Sequence, residues 1–83
     1  MNWSCYLLRC ADDTLYCGIT NDLEKRLAAH NAGTASKFTR ARVPVELAYA
    51  EQCDNRSAAS KREMEIKKLS REKKLALIQS RSS

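Results

Sequence analysis

The chain has 83 residues and a mass of 9.4 kDa, which is the size of one small domain. This length excludes a two-domain enzyme with a deep cleft between its domains. Hydrophobic residues make up 43% and charged residues 30% of the chain, a composition typical of a folded globular protein and not of a disordered tail. The formal net charge of +5 is compatible with an anionic partner but does not identify one.

The chain contains no run of about 18 apolar residues, so no membrane-spanning helix is predicted. Its first residues also lack the basic start and long apolar stretch of a secretory signal. The four cysteines form no C-x-x-C pair, and His30 is the only histidine, so the spacing does not favour a structural zinc site. We therefore expect reduced, mostly buried thiols in a cytoplasmic protein.

The first two strands are predicted at residues 3–10 and 14–20, which are rich in aromatic and aliphatic residues. The aspartates between them favour a turn and therefore a β-hairpin. A three-residue loop centred on Asp13 would bring Tyr6 and Tyr16 to the same face of the hairpin. Leu8 and Gly18 would share that face, and the glycine indicates a close approach of another group. The opposite face would carry Cys5, Leu7, Cys17 and Ile19.

The remaining elements follow from caps and periodicity. Asn21 is the predicted N-cap of the first helix, and Glu24 completes a capping-box pattern. We predict a helix at 22–32, a loop at 33–44, a strand at 45–53, a helix at 56–69, a short helix from the Ser70 cap to about 79, and a frayed tail at 80–83. The order β-β-α-β-α-α predicts an α+β fold, with helices packed on a small three-stranded sheet.

Two polar side chains share the apolar stripe of the first helix. Arg26 and His30 fall within the same arc of about 100° as Leu23 and Leu27. The arginine has three possible roles at this stage. It snorkels at the edge of the core, pairs with Asp22 one turn back, or offers its fork of donors to a phosphate.

Charged residues are also unevenly placed in the second long helix and the segment that follows it. The segment 56–74 carries eight basic and three acidic residues, and this excess equals the whole net charge. A solvated helix face and a phosphate-binding face both fit this pattern. Glu63 and Glu65 lie at opposite borders of the apolar stripe, and periodicity does not choose between them. Arg62 lies near the centre of the stripe without an explanation from the sequence.

Together these residues match a known family. The chain resembles the GIY-YIG nuclease superfamily, in particular its bacterial stand-alone, single-domain members, across about residues 3–78. Ser4-Cys5-Tyr6 and Tyr16-Cys17-Gly18 correspond to the two name-giving motifs. Arg26 follows Tyr16 by ten residues, and His30 follows Arg26 by four. The likeness continues through residues 37–40, 44–47 and 62–70.

The resemblance implies a three-stranded antiparallel sheet flanked by helices and hydrolysis of phosphodiester bonds with one divalent metal, Mg²⁺ or Mn²⁺. By position, Tyr6 and Tyr16 are similar to the motif tyrosines, Arg26 to the catalytic arginine and His30 to the helical histidine. Glu63 is similar to the metal-binding glutamate, and Glu65 is kept as the alternative. A lone carboxylate suits one ion that keeps most of its coordination positions for water and phosphate. A tyrosine acting as general base needs its pKa lowered from about 10, and Tyr6 is the preferred base, with Tyr16 and His30 orienting water or phosphate.

Several positions depart from the family pattern. Ser4-Cys5 replaces Gly-Ile, Cys17 stands in the second motif, and Asp13 occupies a turn position where relatives often have glycine. Many relatives carry tyrosine in place of Phe38. None of these departures removes a residue of the inferred catalytic set.

The expected partner is nucleic acid, with DNA favoured over RNA. Its backbone would be held by basic residues that position the substrate without reading bases; these are Lys37, Arg40, Arg42, Lys61, Lys67 and Lys68. Two other functions stay open from the sequence. One is a non-catalytic nucleic-acid-binding module that retains the fold, and the other is an interaction protein whose basic helix binds an acidic partner.

Overall fold

A computed structural model describes residues 2–82 of the chain, and side chains up to residue 80. It confirms the α+β fold with a three-stranded antiparallel sheet and helices. One element is additional, a single-turn helix inside the predicted loop 33–44. The elements in chain order are β1 (Trp3–Arg9), β2 (Leu15–Thr20), α1 (Leu23–Asn31), α2 (Lys37–Arg40), β3 (Glu46–Cys53), α3 (Arg56–Lys67) and α4 (Arg71–Ser82).

The β1–β2 hairpin confirms the predicted faces but not the predicted centre of its loop. Tyr6 pairs with Gly18 and Leu8 with Tyr16, so the loop is centred on Asp12, one residue earlier than expected. The backbone N–H of Cys10 donates to the carbonyl of Thr14, and the N–H of Asp13 donates to the carbonyl of Cys10. Asp13 adopts φ +68°, a left-handed conformation that aspartate tolerates better than most residues.

The sheet has the strand order β2-β1-β3 and separates two apolar layers. On one face Tyr6, Leu8 and Val45 pack with the half-buried Leu23 and Leu27 of α1. The other face carries the rest of the core, in which Ile66 of α3 and the half-buried Leu77 and Ile78 of α4 pack with Cys5, Leu7, Cys17 and Tyr49. Because side chains alternate along a strand, each catalytic candidate on β1 or β2 has a definite helical layer opposite it.

Helix α1 begins one residue later than predicted. Asp22, not Asn21, is the N-cap, and its side chain accepts a hydrogen bond from the Lys25 N–H at 3.2 Å. The hydroxyl of Thr20 accepts from the Asp22 N–H at 3.0 Å. This contact holds Asp22 in an extended conformation (φ −152°), which is the backbone geometry of a cap.

Strand β3 pairs with β1 through an irregular register. Leu7 faces Tyr49 but Leu8 faces Leu47, so Ala48 is an extra residue in β3. A cis peptide bond joins Val43 to Pro44 before the strand.

The two C-terminal helices differ from prediction at their ends. Asn55 caps α3 by accepting from the Ala58 N–H at 2.8 Å, and α3 ends at Lys67, two residues early. Ser70 caps α4 as predicted, accepting from the Lys73 N–H. Helix α4 continues to Ser82, through most of the expected tail, whereas Ser83 lies outside the described residues. Within the part described, no helix is long and apolar enough to cross a membrane.

The position of Arg62 is explained by a polar network between α3 and β3. Its guanidinium contacts the carboxylate of Glu51, which also accepts a hydrogen bond from the hydroxyl of Tyr49. The contact with Glu51 raises the pKa of Arg62, and burial followed by Glu51 raises the pKa of Tyr49. Arg62 therefore lies on the stripe that faces the sheet because a carboxylate of β3 is its partner.

Candidate active site

His30 lies at the centre of the candidate site and is fully buried between α1, α2 and the sheet. Its Nε2 is 2.9 Å from the hydroxyl of Tyr6, and its Nδ1 is 2.8 Å from the hydroxyl of Thr39. The ring of Tyr16 meets the imidazole edge-on, with centroids 5.1 Å apart. Burial, followed by the nearby charge of Arg26, lowers the pKa of His30, which favours the neutral imidazole.

The hydrogen bonds around His30 favour one tautomer. The hydroxyl of Thr39 donates to the carbonyl of Ser36, the N-cap residue of α2, at 3.4 Å. Its lone pairs are then available to the Nδ1–H of His30. This leaves Nε2 as an acceptor, so the hydroxyl of Tyr6 donates to it.

Tyr6 is held below the surface. Only 1% of it is exposed, and its hydroxyl lies over Gly18 on the neighbouring strand. A Cβ atom at Gly18 would stand 2.5 Å from that hydroxyl oxygen, which confirms that the glycine marks a close approach. Burial raises the pKa of Tyr6, and the nearby guanidinium of Arg26 opposes this shift.

Tyr16 has a different environment although it is on the same face. It is half-buried and lies between two rings, the imidazole of His30 and the side chain of Phe38. The Phe38 ring stacks on Tyr16 at 5.8 Å with an interplanar angle of 30°. The substitution of phenylalanine for a family tyrosine therefore retains a ring that orients Tyr16.

Arg26 is exposed on α1 beside this group. The predicted alternative of a pair with Asp22 is not formed, since no ion pair of Arg26 is found within residues 2–80. Its influence on the pKa values of both Tyr6 and His30 indicates that the guanidinium is close to them. An exposed guanidinium without a carboxylate partner is free to bind a phosphate.

Glu63 lies on α3, in the other layer. Its side chain is 23% exposed, and its carboxylate is 3.6 Å from the ammonium of Lys67. The hydrogen bond with Cys5 lowers the pKa of the Cys17 thiol, and the negative charge of Glu63 opposes this shift. Because Cys17 belongs to β2, Glu63 lies close to that strand. Glu65 differs from it, since that side chain is 66% exposed and contacts Arg62.

The structure thus brings Tyr6, Tyr16, Arg26 and His30 together on one face of the sheet. Glu63 approaches β2, the edge strand that carries Tyr16, from the opposite layer. Within the described residues no three His, Cys, Asp or Glu side chains cluster as metal ligands. A single half-buried carboxylate is a donor set that suits Mg²⁺ or Mn²⁺, which take hard oxygen ligands and retain several waters.

The predicted backbone-binding cations fall into two groups. Lys37, Arg40, Lys61, Lys67 and Lys68 are exposed. Arg42 is engaged within the fold, because its guanidinium donates to Asp12 and to the carbonyl of Phe38 and lies 4.0 Å over the Phe38 ring.

Comparisons with known proteins identify the family of the chain. The family model of the GIY-YIG catalytic domain matches residues 2–76. The chain belongs to the GIY-YIG family. This membership implies interaction with nucleic acid, in a superfamily of nucleases that generally depend on divalent metal.

Similar proteins carry the name UPF0213. A UPF0213 protein of Natronomonas pharaonis is 55% identical over 73 residues, covering 88% of this chain and 86% of the relative. One from Clostridium perfringens is 53% identical over 77 residues, covering 93% and 83%. Their names confirm the stand-alone GIY-YIG family and state no activity.

Solved structures support the fold. The NMR structure of protein EF2693 from E. faecalis has a TM-score of 0.65 at 36% identity, covering 96% of this chain and 85% of that one. The UPF0213 protein BH0048 from Bacillus halodurans has a TM-score of 0.61 at 37% identity, covering 95% and 84%.

The sequence analysis does not single out one residue that contacts the candidate site. Thr39 lies within the predicted loop 33–44, yet it is completely buried and its hydroxyl contacts the imidazole of His30 at 2.8 Å. The signal was Ser36, whose side chain caps α2 by accepting from the Phe38 N–H. A serine cap indicates a helical turn, and in the structure Thr39 is the residue of this turn that faces inward.

Proposed function

We propose that this protein is a nuclease that hydrolyses phosphodiester bonds of nucleic acid, DNA in preference to RNA, with one divalent metal ion. The observation that carries the proposal is the ordered chain from Tyr6 through His30 to Thr39, with Tyr16 and Arg26 beside it. A buried polar chain of this kind costs stability unless it is fully satisfied. Apolar residues in the same place would avoid this requirement. The polar chain beneath an exposed arginine therefore supports a catalytic site.

Tyr16, after giving up its phenolic proton to solvent, is proposed as the residue that takes the proton of the attacking water, while the leaving sugar oxygen takes a proton from solvent. The sequence favoured Tyr6 for this role, but three observations support Tyr16 instead. Tyr6 is almost fully buried, its hydroxyl donates to His30, and burial raises its pKa. Tyr16 reaches the surface, where a water molecule can contact it.

Tyr6 and His30 are proposed as positioning residues. Their hydrogen bond holds the imidazole edge against the ring of Tyr16. Arg26 would bind the phosphate and stabilise the negative charge that grows on it during attack by water. Such a role requires a guanidinium that is free of carboxylates, as Arg26 is within the described residues.

Glu63 is proposed as the metal ligand. A bound divalent ion supplies Lewis-acid polarisation of the phosphate. The contact with Lys67 at 3.6 Å keeps the Glu63 carboxylate oriented toward the same side of α3. The exposed basic residues, Lys37, Arg40, Lys61, Lys67 and Lys68, would hold the nucleic-acid backbone.

A matched pair of variants tests the proposal. Glu63→Gln should abolish Mg²⁺- or Mn²⁺-dependent cleavage of DNA while leaving the circular dichroism spectrum unchanged, because the carboxylate is only partly buried. Glu65→Gln removes the same charge two residues away and should cleave like the natural protein. The substrates should include single-stranded, duplex, flapped and branched DNA.

Two results would contradict the proposal. Full cleavage by Glu63→Gln would remove Glu63 from the site. Tight, salt-dependent binding of all substrates without cleavage in either metal would instead identify a non-catalytic binding module. We also propose a cytoplasmic location, supported by the four cysteines, all of which are free thiols.

A further inference from the structure

A small pocket lies beside the candidate active site, at the end of the sheet where the two helical layers meet. Its volume is about 280 Å³. The residues that line it are Trp3, Ile19, Thr20, Asn21, Arg26 and Arg56. Arg26 also lines a neighbouring pocket on the α1 side, so this arginine links the pocket to the tyrosines and His30.

The lining of this pocket combines one indole with two guanidinium groups. Trp3 is only half-buried at the start of β1. The guanidinium of Arg56, the first residue of α3, lies 5.7 Å from the centre of its ring. No carboxylate lines the pocket within the described part of the chain. A half-exposed aromatic face between unpaired cations is the combination that binds an unpaired base and its phosphates.

The pocket is also aligned with the proposed metal ligand. Arg56 and Glu63 are seven residues apart on α3, which returns them to within about 20° of the same side of the helix, about 10 Å apart along its axis. Lys67 continues the row at 3.6 Å from Glu63. One face of α3 thus carries a cation, a carboxylate and a second cation in line, so one nucleic-acid strand can contact all three.

We propose that the Trp3 pocket binds a nucleotide of an unpaired strand next to the bond that is cut. The base stacks on the indole of Trp3, and Arg26 and Arg56 bind the phosphates on either side of it. A base within a duplex is already stacked and paired, so it cannot occupy this pocket without being turned out. The preferred substrate is therefore single-stranded nucleic acid or the single-stranded part of a flap or overhang. The position of the cut rests on the proposed nuclease function, whereas binding in the pocket does not.

The only tryptophan of the chain makes the test direct. Trp3 is the single tryptophan, so its fluorescence reports this pocket alone. The Glu63→Gln variant is titrated without metal, so that no cleavage occurs, with a short deoxythymidine oligonucleotide. We expect quenching that saturates with this oligonucleotide. Quenching should be absent with an abasic oligonucleotide of the same length and with a blunt duplex.

Two pocket variants, each with a control variant, assign the affinity to the pocket. Their Kd values are measured by the anisotropy of a labelled oligonucleotide, because the Trp3 variants lose the fluorescent side chain. Trp3→Ala should raise the Kd for the single strand about tenfold or more, whereas Trp3→Phe should preserve most of the affinity, because stacking on a ring is retained. Arg56→Ala should weaken the single strand more than the duplex. Lys73→Ala removes the same charge from exposed α4 and should weaken both equally.

The proposal is overturned if the abasic strand or the duplex quenches Trp3 as strongly as the intact single strand, or if none of them does. The same titration is carried out with a ribonucleotide oligomer. Quenching by this oligomer would support binding in the same pocket and would assign RNA as a ligand. Failure of cleavage with normal quenching would contradict the nuclease proposal alone. Cleavage without quenching would contradict the pocket alone.

Discussion

At the scale of single residues, the two motif tyrosines have different environments although they share one face of the hairpin. Tyr6 is 1% exposed and donates to His30, whereas Tyr16 is half-buried between two rings. A tyrosine-to-phenylalanine change removes one hydroxyl group at either position. Comparing the two variants therefore separates a loss of stability from a loss of catalysis.

The first prediction compares Tyr6→Phe with Tyr16→Phe. Tyr6→Phe leaves the buried Nε2 of His30 without a donor and should lower the free energy of unfolding by about 1–3 kcal/mol. Tyr16→Phe should leave stability within about 0.5 kcal/mol but reduce kcat about 100-fold or more. Urea denaturation measures the stability, and steady-state cleavage measures kcat. A Tyr16→Phe variant that is stable and also fully active would contradict this assignment and return the base role to Tyr6.

The second prediction concerns the pH dependence of stability. Burial and Arg26 lower the pKa of His30 in the folded state below its ordinary value of 6.5, so the unfolded chain binds the proton more readily. The free energy of unfolding should therefore fall as the pH drops below about 6.5, by at most about 1.4 kcal/mol per pH unit from this group. His30→Gln should show a shallower slope between pH 7 and 5. Equal slopes would mean that His30 does not titrate differently in the two states.

At the scale of elements, α3 is attached to β3 by the Arg62–Glu51–Tyr49 network. The strands β2 and β3 are held to β1 by backbone hydrogen bonds, whereas α3 and α4 pack on the sheet mainly through apolar side chains. The network therefore fixes the rotation of α3 about its axis, and this rotation decides whether Glu63 faces β2.

The third prediction tests this network with two acidic residues that both contact Arg62. Glu51→Gln should lower the free energy of unfolding by about 1–2 kcal/mol, between the values for exposed and buried ion pairs, because Glu51 is 23% exposed. Glu65→Gln should change stability by less than about 0.5 kcal/mol, because that partner is 66% exposed. Thermal unfolding of the two variants provides the comparison. Similar losses would show that Glu51 has no special contribution.

At the scale of the whole molecule, the net charge of +5 is distributed over cations that differ in their freedom to bind phosphate. Lys37 is exposed without an acidic partner in the described part of the chain. Arg42 is already bound by Asp12 and by a backbone carbonyl. Only an exposed cation without an acidic partner, such as Lys37, releases salt ions from nucleic acid when it binds a phosphate.

The fourth prediction uses the salt dependence of binding by the Glu63→Gln variant. Lys37→Ala should reduce the slope of log K against log salt concentration by about 0.9 for a duplex, the value for one phosphate contact. Arg42→Ala should leave the slope unchanged and instead lower stability, since it removes contacts between two loops. Fluorescence anisotropy at several salt concentrations measures the slopes. A reduced slope for Arg42→Ala would mean that Arg42 leaves Asp12 to bind phosphate.

Much of the fold was predictable because the elements are defined by local signals. Alternation predicted the hairpin faces, Ser70 capped α4 as expected, and the order β-β-α-β-α-α was confirmed, with α2 added. The predictions that were wrong concern positions where a short-range hydrogen bond selects one of two adjacent residues. The Thr20 hydroxyl moved the cap from Asn21 to Asp22, and the closing bonds of the hairpin moved its centre to Asp12.

The sequence by itself determined the family, the sheet with its helices and the candidate residues, because motif spacing and periodicity are properties of the chain. Only the tertiary structure decided burial and partners. It buried His30 and Tyr6 beneath Tyr16, tied Arg42 to Asp12, and gave Arg62 its partner Glu51. It also brought Trp3 of β1 against Arg56 of α3, about two-thirds of the way along the chain. These contacts join distant segments, and no local pattern encodes them because they arise only when both layers pack on the sheet.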